Sequence, residues 1–145
     1  MTRQEYSPPL GFLNRHRIEN LLGTPLPRGA ADLHSLRWRP SIDLAYEEVL
    51  IRFTVPVQDY LSFVQARGLT PFALSGPTVH LPIDWAPPPE VAAPPWWEPT
   101  GETPRDAAGG PLGRYGSIAV KWERGRVYCR LIDPGPRAAG PDPDP

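Results

Sequence analysis

The sequence predicts an α+β fold: a small antiparallel sheet packed on one principal helix, with a long proline- and tryptophan-rich loop. Three observations predict it. Val49, Ile51, Phe53 and Val55 alternate with Glu48, Arg52 and Thr54, the period of two of a half-buried strand. Directly after Pro56, the residues Val57, Tyr60, Leu61 and Val64 follow the i, i+3, i+4, i+7 spacing of an amphipathic helix. GSIAVKWERGRVYCRLID reads as a hairpin about Arg124-Gly125, because that register makes one face wholly apolar and a shift of one residue would mix the faces.

Taken in order, residues 1–11 are an irregular lead, since Pro8 and Pro9 forbid a regular start. Asn14 is placed to cap a short helix ending at Leu22, with Ile18, Leu21 and Leu22 on one face and Gly23 as a left-handed stop. Pro25 and Pro27 then hold the chain extended. In ADLHSLRWR, His34, Leu36 and Trp38 alternate with Ser35 and Arg37, which predicts a strand over 32–39 ending at Pro40. A second strand spans 48–55. Pro56 has the fixed φ of a first helical turn, Asp59 and Arg67 suit the two ends of the helix dipole, and Gly68 is a natural C′ residue, so the helix covers 56–67. Residues 71–113 hold eleven prolines and five glycines, a composition that predicts one long loop and no central strand. Within it APPPE and APPWWEP favour polyproline II. The hairpin over 117–132 pairs Glu123 with Arg126, Trp122 with Val127, Lys121 with Tyr128, Val120 with Cys129 and Ile118 with Leu131. The tail 134–145 has no apolar residue larger than Ala and is expected to be disordered, leaving a single domain over 1–133.

Composition narrows the function. The 145 residues include 22 prolines and 13 glycines, yet Val, Ile, Leu and Phe still make up about 23 % and the net charge is only −1. That is a folded chain rather than a disordered one. Near-neutrality gives no electrostatic footprint for nucleic acid. No apolar run is long enough to cross a bilayer and the first twenty residues hold no signal-like apolar stretch, so the expectation is a soluble cytoplasmic protein with no membrane partner. A single cysteine, Cys129, agrees with a reducing compartment.

No strong catalytic motif is present, and no cofactor or metal is expected. Lys121, the one lysine, follows Ile118, Ala119 and Val120 rather than a phosphate-binding glycine loop, and no serine stands in a G-x-S-x-G elbow. His16, His34 and His80 lack the spacing of a zinc site, and Pro82 separates His80 from Asp84. Cys129 falls on the apolar face of the hairpin, where a thiol behaves as a small hydrophobe. Glu47 and Glu48 point to opposite faces of a strand and form no dyad. The candidate binding residues are Trp96 and Trp97 in PPWWEP, with Trp85 nearby, because tryptophans in an extended loop either staple it to the domain or form a contact surface. Arg52 and Arg130 join them. With Lys121 and Arg126 they fall on the polar faces of their strands, where they would form a basic patch for an anionic or carboxylate-rich partner.

The landmarks LPRGAADLHSLRW, VLIRFTVPVQDYLSFVQARGL, APPWWEP and VKWERGRVYCRLI resemble a scattered set of small bacterial proteins of unknown function. Those proteins carry an LP-x-x-A lead into a strand, an RF strand followed by a short helix, a WW-x-P loop and a final hairpin with a Val-Tyr pair. The resemblance covers about residues 25–132 and implies no activity. The function expected from the residues is a non-catalytic binding or protein-interaction module, of which an inhibitor or immunity-type protein is one form. The alternative is a small hydrolase or carbohydrate-ligand enzyme whose carboxylates, Glu98, Asp84 or Asp59, converge near the tryptophans.

Overall fold

The structure is a computed structural model that describes residues 15–38, 47–72, 85–86, 93–112 and 116–133. The expected Asn14 cap, the irregular lead, His80, Asp84 and the tail from Pro134 lie outside the described residues. Within them are two helices, α1 (Arg15–Leu22) and α2 (Val57–Arg67), and six strands: β1 (Ala31–Trp38), β2 (Glu47–Thr54), β3 (Thr70–Pro71), β4 (Ala108–Leu112), β5 (Gly116–Glu123) and β6 (Arg126–Asp133). The strands form one sheet in the order β1-β2-β6-β5-β4-β3, every described pairing antiparallel. The α+β class holds. No helix among the described residues is long and apolar enough to cross a membrane.

The hairpin has the register its sequence pattern requires, from Glu123 opposite Arg126 to Ile118 opposite Leu131. Arg124 and Gly125 both have positive φ, 53° and 84°, as a two-residue turn that matches the twist of the strands demands. The turn is tied back to β2, because Val55 N–H donates to the Gly125 carbonyl and the Trp122 indole N–H donates to the Val55 carbonyl.

One face of the sheet carries the main core. Val49, Ile51, Phe53, Ile118, Val120, Val127, Cys129 and Leu131 all turn to it and are buried. Both helices contribute to this cluster, α1 through Ile18 and Leu22 and α2 through Tyr60, Phe63 and Val64. The sheet therefore packs on two helices rather than on one principal helix. Arg67 braces them, donating to the carbonyls of Leu22 and Pro111. The helix stops follow the sequence: Gly23 and Gly68 have φ of 82° and 77°. At Gly68 the paired bonds Gly68 N–H to Gln65 O and Leu69 N–H to Val64 O close a Schellman motif. The buried stripe of α2 differs by one position from expectation. Leu61 is exposed, and Phe63 takes the core place, its ring edge-on to Phe53 at 5.7 Å. Sliding the apolar arc toward Phe63 buries the larger ring.

Three further expectations are corrected. The segment 71–113 is not wholly loop, since β4 lies inside it and has strand neighbours on both sides. AGGPL can do this because Gly109 lets the Phe72 ring approach closely and Gly110 does the same for Leu69. Its proline, Pro111, lies past the end of β3, where β4 needs no second partner. Residues 93–107, by contrast, contain neither helix nor strand. The sequence places the tryptophan-rich loop at an edge or the open end of the sheet; these residues instead cross its second face as a strap, with Trp97 packed on Tyr128 and the Thr100 carbonyl above Lys121. Of the expected basic patch, Arg52 and Lys121 are buried, whereas Arg126 and Arg130 are only half-buried, so the four do not form one open surface.

Candidate functional site

Register places four side chains in a row across the second face. His34 on β1 opposes Arg52 on β2, Arg52 opposes Tyr128 on β6, and Tyr128 opposes Lys121 on β5. A register shift between Ala31 and His34, with Asp32 at φ 51°, sets the β1 end of this row. Asp is among the few side chains that tolerate that backbone conformation.

The strap meets each member of the row with its own chemistry. Trp96 stacks on His34, ring centroids 5.3 Å apart and planes 16° apart. Arg52 Nη1 donates to the Trp96 carbonyl at 3.1 Å. Trp97 stands edge-on to Tyr128 at 5.0 Å and to Trp96 at 6.2 Å. Lys121 Nζ donates to the carbonyls of Thr100 and Glu102 and to Glu123 Oε1, all within 2.9 Å, and lies 4.9 Å from the centre of the Trp85 ring. Beside the row, Arg130 donates to the Ala86 carbonyl and to Glu48 Oε1. The strap can bend here because Pro95 fixes the second position of a turn closed by Trp97 N–H on the Pro94 carbonyl. Strap carbonyls with no strand partner thus receive their donors from cations of the sheet.

The three tryptophans divide into two roles. Trp85 and Trp97 are buried, and their indole N–H groups donate to Thr103 Oγ1 and to the Trp85 carbonyl. They are staples. Trp96 is only half-buried, and its indole N–H makes no hydrogen bond among the described residues. Arg52 and Arg130 lie under or beside the strap rather than on an open surface. Sequence reasoning left Tyr128, His34 and Glu123 out of the site. The hairpin register, which puts Tyr128 opposite Lys121 on the polar face, was the signal that could have found Tyr128.

Electrostatics here are specific. Burial, then the Arg52 charge, lowers the His34 pKa against an opposing pull from Asp32, so the ring is neutral at neutral pH. Burial opposes ionisation of Glu123, but hydrogen bonds from Lys121 and from the Thr100 N–H and hydroxyl outweigh it and hold the carboxyl below its usual range. On the helix side, burial pushes the Cys129 thiol well up, which removes it as a nucleophile. Burial likewise raises Tyr60, whose hydroxyl donates to the Asp106 carbonyl at 2.6 Å.

Of the carboxylates of the enzyme alternative, Asp84 lies outside the described residues, and Glu98 and Asp59 are not brought together. Glu98 is exposed on the strap, whereas Asp59 belongs to α2 on the opposite side of the sheet and lies near Gly29. A depression of about 360 Å³ over β4, β5 and β6, lined by Phe72, Gly109, Ala119, Arg130 and Ile132 among others, has no carboxylate among its described lining residues. No three His, Cys, Asp or Glu side chains gather as a metal-binding group among the described residues. Compared with protein-family models, with curated proteins and with solved structures, the chain matches none.

Proposed function

We propose that this protein is a non-catalytic binding module that contacts a protein partner through the Trp96 flank of the strap. One observation carries the reading: of the three tryptophans Trp85, Trp96 and Trp97, two are buried with satisfied N–H groups, and Trp96 alone is left half-exposed, stacked on His34 beside Arg52. A partly exposed tryptophan already fixed by stacking loses little freedom on binding, which suits it to anchor an interface. The cations of this face are engaged with strap carbonyls and with Glu48 and Glu123, an arrangement that fits a protein partner better than a nucleic acid. A buried unpaired thiol at Cys129 suits a cytoplasmic setting. An inhibitor or immunity-type role is the specific form of the proposal.

The test is affinity capture from the native cell with wild type and with Trp96→Ala. Support requires one stoichiometric partner that is retained by wild type and lost from the variant, with the variant's thermal midpoint unchanged within a few degrees. Absence of a stoichiometric partner on wild type, or undiminished capture by Trp96→Ala, overturns the reading.

A further inference from the structure

Two of the three strongly covered cations on the second face have a carboxylate. Lys121 has Glu123 at 2.8 Å and Arg130 has Glu48 at 3.1 Å. Arg52 differs. It is 7 % exposed, and no carboxylate among the described residues forms an ion pair with it. Its three nitrogens are used unequally. Nη1 donates to the Trp96 carbonyl, Nε is closed to solvent with no acceptor, and Nη2 makes no hydrogen bond among the described residues. Nε and Nη2 together form the side-on edge of a guanidinium, the edge that grips a carboxylate through two parallel bonds. A second unfilled group stands next to it in register. The buried Tyr128 hydroxyl has no hydrogen-bonded partner among the described residues.

Resting on the binding-module reading, we infer that the Nε–Nη2 edge of Arg52 receives the carboxylate of an acidic residue on the protein partner, beside the Trp96–His34 stack. An unpaired charge this deep is costly, and filling its open edge recovers part of that cost on binding. The two parallel N–H groups of this edge match the planar fork of a carboxylate. Because Nε is closed to solvent, binding requires that its cover open; Trp96, whose carbonyl accepts from Arg52, is the partly exposed neighbour whose indole N–H reports this.

The experiment is a titration of the full chain, labelled with ¹⁵N, read at the Arg52 Nε–H resonance and the Trp96 indole N–H. The probes are the peptide Ac-Ala-Phe-Glu-Ala-NH2, its Gln counterpart, sodium acetate and inorganic phosphate. The expected result is a saturating shift of Arg52 Nε–H with the Glu peptide and with acetate, weaker by about tenfold or more with the Gln peptide. Arg52→Lys keeps the charge and loses the fork, so it loses the response, while Arg124→Lys on the exposed turn keeps it. If Arg52→Lys does not fold, the wild-type Nε–H shift decides alone. Equal response to the Gln peptide, no movement of Nε–H, or a tighter response to phosphate overturns the inference. A partner that is captured in a Trp96-dependent way but binds Arg52→Lys equally sinks this inference and leaves the binding module standing. A responsive Nε–H without any captured partner sinks the module and leaves a carboxylate site.

Discussion

Lys121 is the only lysine of the chain, and it is wholly buried. Its ammonium has three donors and uses them on the Thr100 carbonyl, the Glu102 carbonyl and Glu123. Replacing it with Met leaves the Thr100 and Glu102 carbonyls without this donor and takes the ammonium from Glu123, which keeps only the Thr100 and Arg124 donors. Lys121→Met is expected to lower stability by about 3 kcal/mol or more, read from urea unfolding, and to increase quenching of Trp85 emission as the strap lifts. Lys121→Arg does not rescue it, because a planar fork cannot reproduce three diverging bonds. The partner residue adds a pH dependence. Glu123 has a folded pKa below its unfolded value, so the stability it contributes is complete above about pH 4.3 and is lost as pH falls through the folded value. His34, also lowered, acts in the same direction from about pH 6.5 downward. Glu123→Gln should therefore flatten the lower part of the acid limb in a stability-versus-pH series and leave the His34 part intact.

At the scale of elements, α2 offers the sharpest test, because the exposed and buried positions lie two residues apart. Phe63→Ala removes a ring packed on Phe53 and is expected to cost about 3–4 kcal/mol, whereas Leu61→Ala on the exposed side should stay within about 0.5 kcal/mol. Equal losses in chemical denaturation would mean that the helix is turned as the 57, 60, 61, 64 spacing suggests. What was legible in the sequence follows from local chemistry. The Arg124-Gly125 turn, the strand faces of β2 and β6 and the Gly68 stop all depend on residues within a few positions of one another, and all were readable. β4 was not, because a strand made of Ala, Gly, Gly, Pro and Leu has almost no side-chain alternation to read. Its warrant is the Phe72 ring lying against Gly109, a contact across 37 positions. The strap was half legible: its tryptophans announced it, but its backbone carbonyls, which bind the sheet cations, leave no mark in a sequence.

The whole molecule is a sheet with unlike coverings. Among the described residues, two helices lie on an apolar face, and a proline-stiffened strap lies on a mixed face of cations, tyrosine, carboxylates and the buried Leu36 and Leu50. Both coverings depend on the same central strand, β6, which supplies Val127, Cys129 and Leu131 to one side and Tyr128 and Arg130 to the other. A fragment ending at Gly125 should accordingly lack any cooperative unfolding transition by circular dichroism. A cooperative melt of that fragment would show that β1, β2 and the helices form a unit of their own.

The strand order has a consequence in time. Glu48 and Arg130 meet across β2 and β6, yet they are 82 positions apart in the chain. At about 5–20 residues per second, a ribosome needs roughly 4–16 s to pass from one to the other. Through that interval Glu47–Thr54, buried on both faces in the finished protein, has β1 on one flank and a bare edge on the other. A nascent chain in this condition can pair with its neighbour on the next ribosome, so the cell that makes this protein must shelter one strand until its partner is synthesised.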